Sequence, residues 1–356
     1  MRNLKTVNYD EMFTLSAPSP KWVWDKQGRL VEVPAGQPAY DHDPVTGEPP
    51  GQRIEAVEDT NGHTNGELNI AITNYTLVDA NDVYMPAAKV ITALAGATDT
   101  PLGTLYPFGA GGGVNKALRV IYAKEGGTRY INMSRPDDAF GILFDFDQGA
   151  IISSDGADDA RARRLSGGWW ELSYFRAWGG ASSNQYNIQF GNERVTGSDF
   201  DLVTNEGDQI TIAYPSMLDT NNPEPPNPIP TDGAAVVRSA DILDADTVVG
   251  GVERGSILVR CQLTEGAPVL AFDGTALVTA PDADWHTYVI SYDGTETLIS
   301  IDGADTTTGA GITPSLPLNV FRDSSSAGSG YIEDLVFSPI KKTAAQVKAA
   351  SAAGEL

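Results

Sequence analysis

The chain is short of the residues that build most chemical sites. It has one cysteine, Cys261, so no disulfide can form within it, and its fold is not expected to rely on an oxidising compartment. It has three histidines, His42, His63 and His286. No Gly-x-Ser-x-Gly elbow occurs, and Cys261 sits inside an alternating strand pattern, so a Ser/His/Asp or Cys/His nucleophile has little support. Basic residues are scarce: 24 Lys and Arg stand against 47 Asp and Glu, a net charge of −23. Such a field repels nucleic-acid phosphates and anionic membranes, so neither is an expected partner. No run of about 18 apolar residues occurs, so no membrane span is expected. The opening "MRNLKTVNYDEMF" lacks the apolar core of a secretory signal, and synthesis in a cytoplasm is expected.

Helical periodicity is nearly absent too. What the chain has is 37 glycines, 22 prolines and many short alternating runs between turn signals. That pattern predicts an all-β fold, two tandem β-sandwiches after a small N-terminal hairpin arm. Residues 1–66 form the arm, in which "WVWDKQGRLVEV" (Trp22 to Val33) alternates on both sides of a turn at Gly28. Residues 67–222 carry at least seven strand signals, among them "ALRVIYAKE", "GILFDFD" and "WWELSYFRAW", and form the first sandwich. Residues 223–240 are a Pro-rich linker, expected to be extended and semi-rigid. Residues 241–356 form the second sandwich and close with "KTAAQVKAASAA", where Thr343 and Gln346 have capping-box spacing.

Three stretches carry possible chemistry. "YDHDPVTGEPPG" (Tyr40 to Gly51) gathers Asp41, His42, Asp43 and Glu48, which are proper metal ligands without a diagnostic spacing. Its prolines and its Thr46-Gly47 turn favour the plainer reading of stiff, shaped chain made for docking. "DFDQG" places Asp145 and Asp147 near a turn, weak candidates for calcium that do not fit the twelve-residue calcium loop. Solvated turn acids are the bland reading there. In "WWELSYFRAW" one face carries Trp170, Leu172, Tyr174, Arg176 and Trp178 and should pack the core. The other carries Trp169 and Phe175 among polar residues, a mix able to stack on a sugar ring, although most sandwich aromatics are core.

Beyond these patterns, three stretches resemble a family of phage virion proteins. They are head-spike and tail-fibre chains with carbohydrate-binding-module-like and laminin-G or concanavalin-like sandwiches. "WVWDKQGRLVEVPAGQPAYDHDPVTGEPPG" resembles their N-terminal collar, matching at Asp41, Asp43, Pro44, Thr46, Gly47 and Glu48. "IPTDGAAVVRSADIL" is similar to the passage between modules. "WHTYVISYDGTETLISIDG" with "GYIEDLVFSPIKKTAAQV" is similar to the concanavalin-like sandwich. The collar departs from the family pattern after Gly51, where "GQRIEAVEDTN" is more polar.

The resemblance implies a jelly-roll followed by a concanavalin-like sandwich, in a non-enzymatic structural protein at the virion surface. The segment Tyr40, Asp41, Asp43, Pro44, Thr46, Gly47 and Glu48 would anchor it to phage capsid or tail proteins. The sandwiches would bind host-surface glycans weakly, with avidity from many copies, and the chain would be a homotrimer. No cofactor is implied, calcium aside. A capsid decoration protein without a ligand is the first alternative, and its signature would be sandwiches lacking an exposed aromatic platform. A polysaccharide depolymerase is the second. It needs a pair of carboxylates set by three-dimensional spacing, and no solenoid repeat supports it.

Overall fold

The computed structural model describes residues 14–49, 51–55, 59–61, 74–97, 104–105, 116–134, 141–177, 186–196, 200–218, 227–229, 236–238, 241–245, 253–263, 265–272, 275–312, 318–321, 324 and 327–356. The described chain is all-β, with antiparallel sheets and one short α-helix. His63 and most of the Pro-rich stretch lie outside the described residues.

The first sandwich sets a large sheet against a smaller one. The large sheet is centred on Lys116–Glu125, which pairs with Trp169–Ala177 on one side and Gln209–Leu218 on the other. Asp159–Arg164 extends one side, and Lys89–Ala93 with Tyr75–Asp79 extends the other. The facing sheet runs Ala150–Ser153, Gly141–Asp145, Tyr130–Ser134, Tyr186–Gly191 and Thr104–Leu105. Strand alternation sends Ile121, Leu172, Tyr174 and Ile212 inward from one sheet, to meet Met133, Phe144, Ile188 and Phe190 from the other. Of the predicted core face of "WWELSYFRAW", Trp170, Leu172 and Tyr174 lie in or against the core, Arg176 instead reaches Asp158, and Trp178 lies outside the described residues. Leu172 and Tyr174 are fully buried, and the Trp170 ring lies 4.9 Å from that of Phe144.

The second sandwich is built the same way around Val259, Tyr288, Ile290, Val320 and Phe321. Its larger sheet orders Thr307–Ala310, Glu296–Ile301, Trp285–Tyr292, Gly255–Leu263 and Ser329–Ser338. The helix Ala344–Ala353 covers Leu258, Val289 and Leu298 on the outer face through Val347 and Ala350. Thr343 and Gln346 form the expected capping box, and Gly354 ends the helix at φ 69°.

The described residues among the first 66 are woven into both sandwiches. Gly51–Glu55 pairs with Ser329–Ser338, and Ala39–Asp41 pairs with Gly51–Glu55, so both extend the larger sheet of the second sandwich. Thr14–Ser16 pairs with Ile242–Ala245 and edges its smaller sheet. The predicted hairpin forms between Lys21–Trp24 and Leu30–Val33, with Gly28 at φ 71° in the turn. It lies on the outer face of the first sandwich's large sheet, where Trp24 and Leu30 cluster with Leu118, Val120, Tyr122, Trp169 and Leu218. A short apolar hairpin cannot bury its own face, so it uses a neighbouring sheet. The described part of the Pro-rich stretch is held down as well. Asn227 and Ile229 are buried, and Val236–Arg238 pairs with Asp59–Asn61.

Candidate functional site: a buried junction of three segments

The stretch Tyr40 to Glu48 folds back on its own chain. Asp43 accepts backbone hydrogen bonds from Val45 at 2.8 Å and Thr46 at 2.7 Å, an Asx turn that presets the bend. Burial would raise the Asp43 carboxyl, but those amides outweigh it and hold it below its usual range. Gly47 completes the turn at φ 74° and donates to the Asp43 carbonyl. The buried Pro44 presents its carbonyl to the Ser166 hydroxyl, on the first sandwich. A Cβ at Gly28 would collide with that carbonyl and with Ser166, so the hairpin turn and the Asx turn fit only without it. His42 spends Nδ1 on the Trp24 carbonyl at 3.0 Å.

Asp41 is the centre of the junction, with 1% of its surface exposed. Its Oδ1 accepts from the Trp24 backbone at 2.7 Å and the His42 backbone at 3.1 Å. Its Oδ2 accepts from Asn227 Nδ2 at 2.8 Å and the Tyr331 hydroxyl at 3.1 Å, with Arg53 Nη1 at 3.4 Å. Arg53 in turn donates to the Tyr331 oxygen at 2.6 Å and lies over that ring. Burial drives the Tyr331 hydroxyl up to about 12, against Arg53 and with Asp41, so it stays a donor. One carboxylate thus ties together the hairpin, the linker and the second sandwich.

A second buried carboxylate sits on the first sandwich. Glu171 accepts from the Tyr122 hydroxyl at 3.0 Å and from Arg163 at 2.9 Å. Burial, reinforced by the Glu171 charge, pushes the Tyr122 hydroxyl far above its usual range, so it too donates. A cavity of about 10 Å3 opens beside Tyr122 and Asn227, room for roughly one water. Both carboxylates are occupied by fixed donors. What this arrangement does is hold position.

The residues singled out by sequence fare differently. Trp169, read as one half of a sugar-stacking face, has 0% of its surface exposed, and Phe175 packs against the same cluster. This corrects the expectation of a platform on that strand: the hairpin 21–33 roofs the face. The missed signal was in Trp22, Trp24 and Leu30, apolar residues that needed a face to cover. Trp169→Ala is therefore expected to cost about 3–5 kcal/mol of stability, measured by urea unfolding. An unchanged unfolding midpoint would contradict a core role.

The weak calcium candidates are also committed elsewhere. Asp145 receives Arg129 at 2.8 Å and the Gln148 amide at 2.9 Å, while Asp147 faces the same guanidinium at 3.3 Å. Arg129 supplies the positive charge that a calcium ion would bring. Burial alone would raise Asp145, and the Arg129 hydrogen bonds reverse that. Among the described residues, no three His, Cys, Asp or Glu side chains converge as a metal site would need.

His286 forms a separate cluster on the second sandwich, bridging Asp302 at 2.5 Å and Asp282 at 2.8 Å through its two ring nitrogens. Burial lowers its pKa, but the two carboxylates overrule it and raise the value above the ordinary 6.5. A raised folded value means the stabilisation is complete below the unfolded pKa and is lost as pH climbs through the folded one. Stability should therefore decline as pH rises past the ordinary histidine value of about 6.5, and His286→Gln should flatten that slope. An identical slope in the variant, read from thermal melts across pH, would contradict the assignment.

No protein-family model matches this chain, and no curated protein matches it either.

Proposed function

We propose that this chain is a non-enzymatic structural protein of a bacteriophage particle, a rigid acidic body fixed to the capsid or tail and exposed at the virion surface. One observation supports this reading most. The chain spends the buried Asp41 carboxylate, its aromatic hairpin and its N-terminal strands on locking two sandwiches together. A body built this way suits load-bearing and display. The collar resemblance supplies the phage assignment, through Asp41, Asp43, Pro44, Thr46, Gly47 and Glu48. On that same stretch Tyr40 and Val45 are 56% and 60% exposed, two apolar side chains free to meet a particle surface. The net charge of −23 keeps neighbouring copies soluble and apart.

Between the two virion roles, decoration is favoured over glycan attachment. Of the sugar-stacking candidates, Trp169 is a core residue and Phe175 is partly buried against the same cluster, and Tyr40 is the one strongly exposed aromatic among the described residues. The test is binding of the purified full chain to phage particles lacking it, alongside a glycan array read for both binding and released sugar. Saturable particle binding that Tyr40→Ser with Val45→Asp abolishes, with a silent array, is the expected result. Glycan binding without particle binding would favour a receptor-binding fibre tip. Released sugar would make the chain a depolymerase. A trimer, expected from the resemblance, would appear as three times the chain mass in light scattering.

A further inference from the structure

Lys21 and Asp241 are an unusual pair. They stand 220 residues apart, yet Lys21 Nζ contacts Asp241 Oδ2 directly. Both are buried, with 3% and 1% of their side-chain surfaces exposed. The ladder that pairs Ser16 with Ile242 sets Asp241 one step further on, beside the buried Ala17. The chain turns through residues 17–20 and brings Lys21 back as the first residue of the hairpin. The pair therefore clamps the start of the woven N-terminal segment onto the smaller sheet of the second sandwich.

We propose that Lys21 and Asp241 are joined by an amide bond formed within the folded chain. Two buried charges carry a desolvation cost that their attraction seldom repays in full, and condensation replaces them with one neutral amide. Holding an amine against a carboxyl group in a fixed frame gives effective concentrations of roughly 10⁵–10⁸ M in favourable cases. Buried lysine is also a competent nucleophile when its proton can pass to a neighbour. The step balances without an oxidant, reductant or cofactor. The Nζ–Cγ bond forms, one Cγ–O bond breaks, and the departing oxygen leaves as water with two protons from the ammonium. Burial then keeps water from reversing it. The product closes a covalent loop between positions 21 and 241, so the first sandwich would be held within one ring of chain. This inference stands on the pair alone and survives whether or not the virion reading does.

The test is the intact mass of the purified full chain under denaturing conditions, followed by a peptide map. The expected result is a mass one water below that of the sequence, no tryptic cleavage after Lys21, and a branched peptide joining Lys21 to Asp241. Lys21→Arg should restore the full mass, because a guanidinium does not condense in this way. Asp241→Asn should give the same cross-linked mass as the unaltered chain, with ammonia lost in place of water. An unaltered chain at its full sequence mass, cleaved after Lys21, overturns the proposal and leaves a buried ion pair. A missing water that maps elsewhere, for example to a cyclised Asp-Gly, overturns it equally.

Discussion

Asp41→Ala is expected to cost about 3–5 kcal/mol, a large share of the roughly 5–15 kcal/mol that holds a domain together. The size follows from what is left behind. The carboxylate accepts from two backbone amides, an asparagine and a tyrosine, and it faces Arg53. Removing it strands those donors in a site that water reaches poorly, and each unsatisfied buried group costs about 1–3 kcal/mol. Asp41→Asn separates charge from shape. It keeps one acceptor oxygen but turns an NH2 group toward donors, so it should recover only part of the loss. Equilibrium unfolding of the full chain in urea would show this, with the added sign that one transition becomes two as the sandwiches uncouple. A loss under about 1 kcal/mol for the alanine variant would mean that the junction is held by packing alone.

How much of this was legible in the sequence can be seen at the same residues. The strand character, the hairpin at Gly28, the Thr343 capping box and the core face with Leu172 and Tyr174 follow from spacing, because local alternation and turn chemistry determine them. Asp41 was visible as one acid in a Pro-rich turn, but its role depends on Asn227 and Tyr331, 186 and 290 residues away. No local pattern encodes those partners. Trp169 shows the same limit. Alternation placed it opposite the core face, correctly, but could not reveal that a second layer covers that side. Seven or more strands with two sandwich-sized regions invite a reading of beads on a string. The chain instead sends its N-terminal strands to the edges of a sandwich that begins some two hundred residues later.

That weaving leads to the largest expected effect. Deleting residues 1–60 should leave a chain that does not reach a stable fold. The deletion removes the strand paired with Ser329–Ser338 and the strand paired with Ile242–Ala245, exposing two open edges ready to pair with other chains. It also unroofs Leu118, Val120, Tyr122 and Trp169. The burial of Trp24 and Leu30 alone is worth about 1.5–3 kcal/mol each, and the Asp41 junction goes with them. These losses together match or exceed the whole stability of a typical domain. The expected observations are low soluble yield, a lost near-ultraviolet dichroism signal and rapid proteolysis across both sandwiches. Supplying residues 1–60 as a separate peptide during refolding should restore protection, since the segment would add its strands to the same edges. A truncated chain that is soluble, sharply folded and unaffected by the peptide would show that the N-terminal segment is a detachable arm, and that each sandwich is sufficient without it.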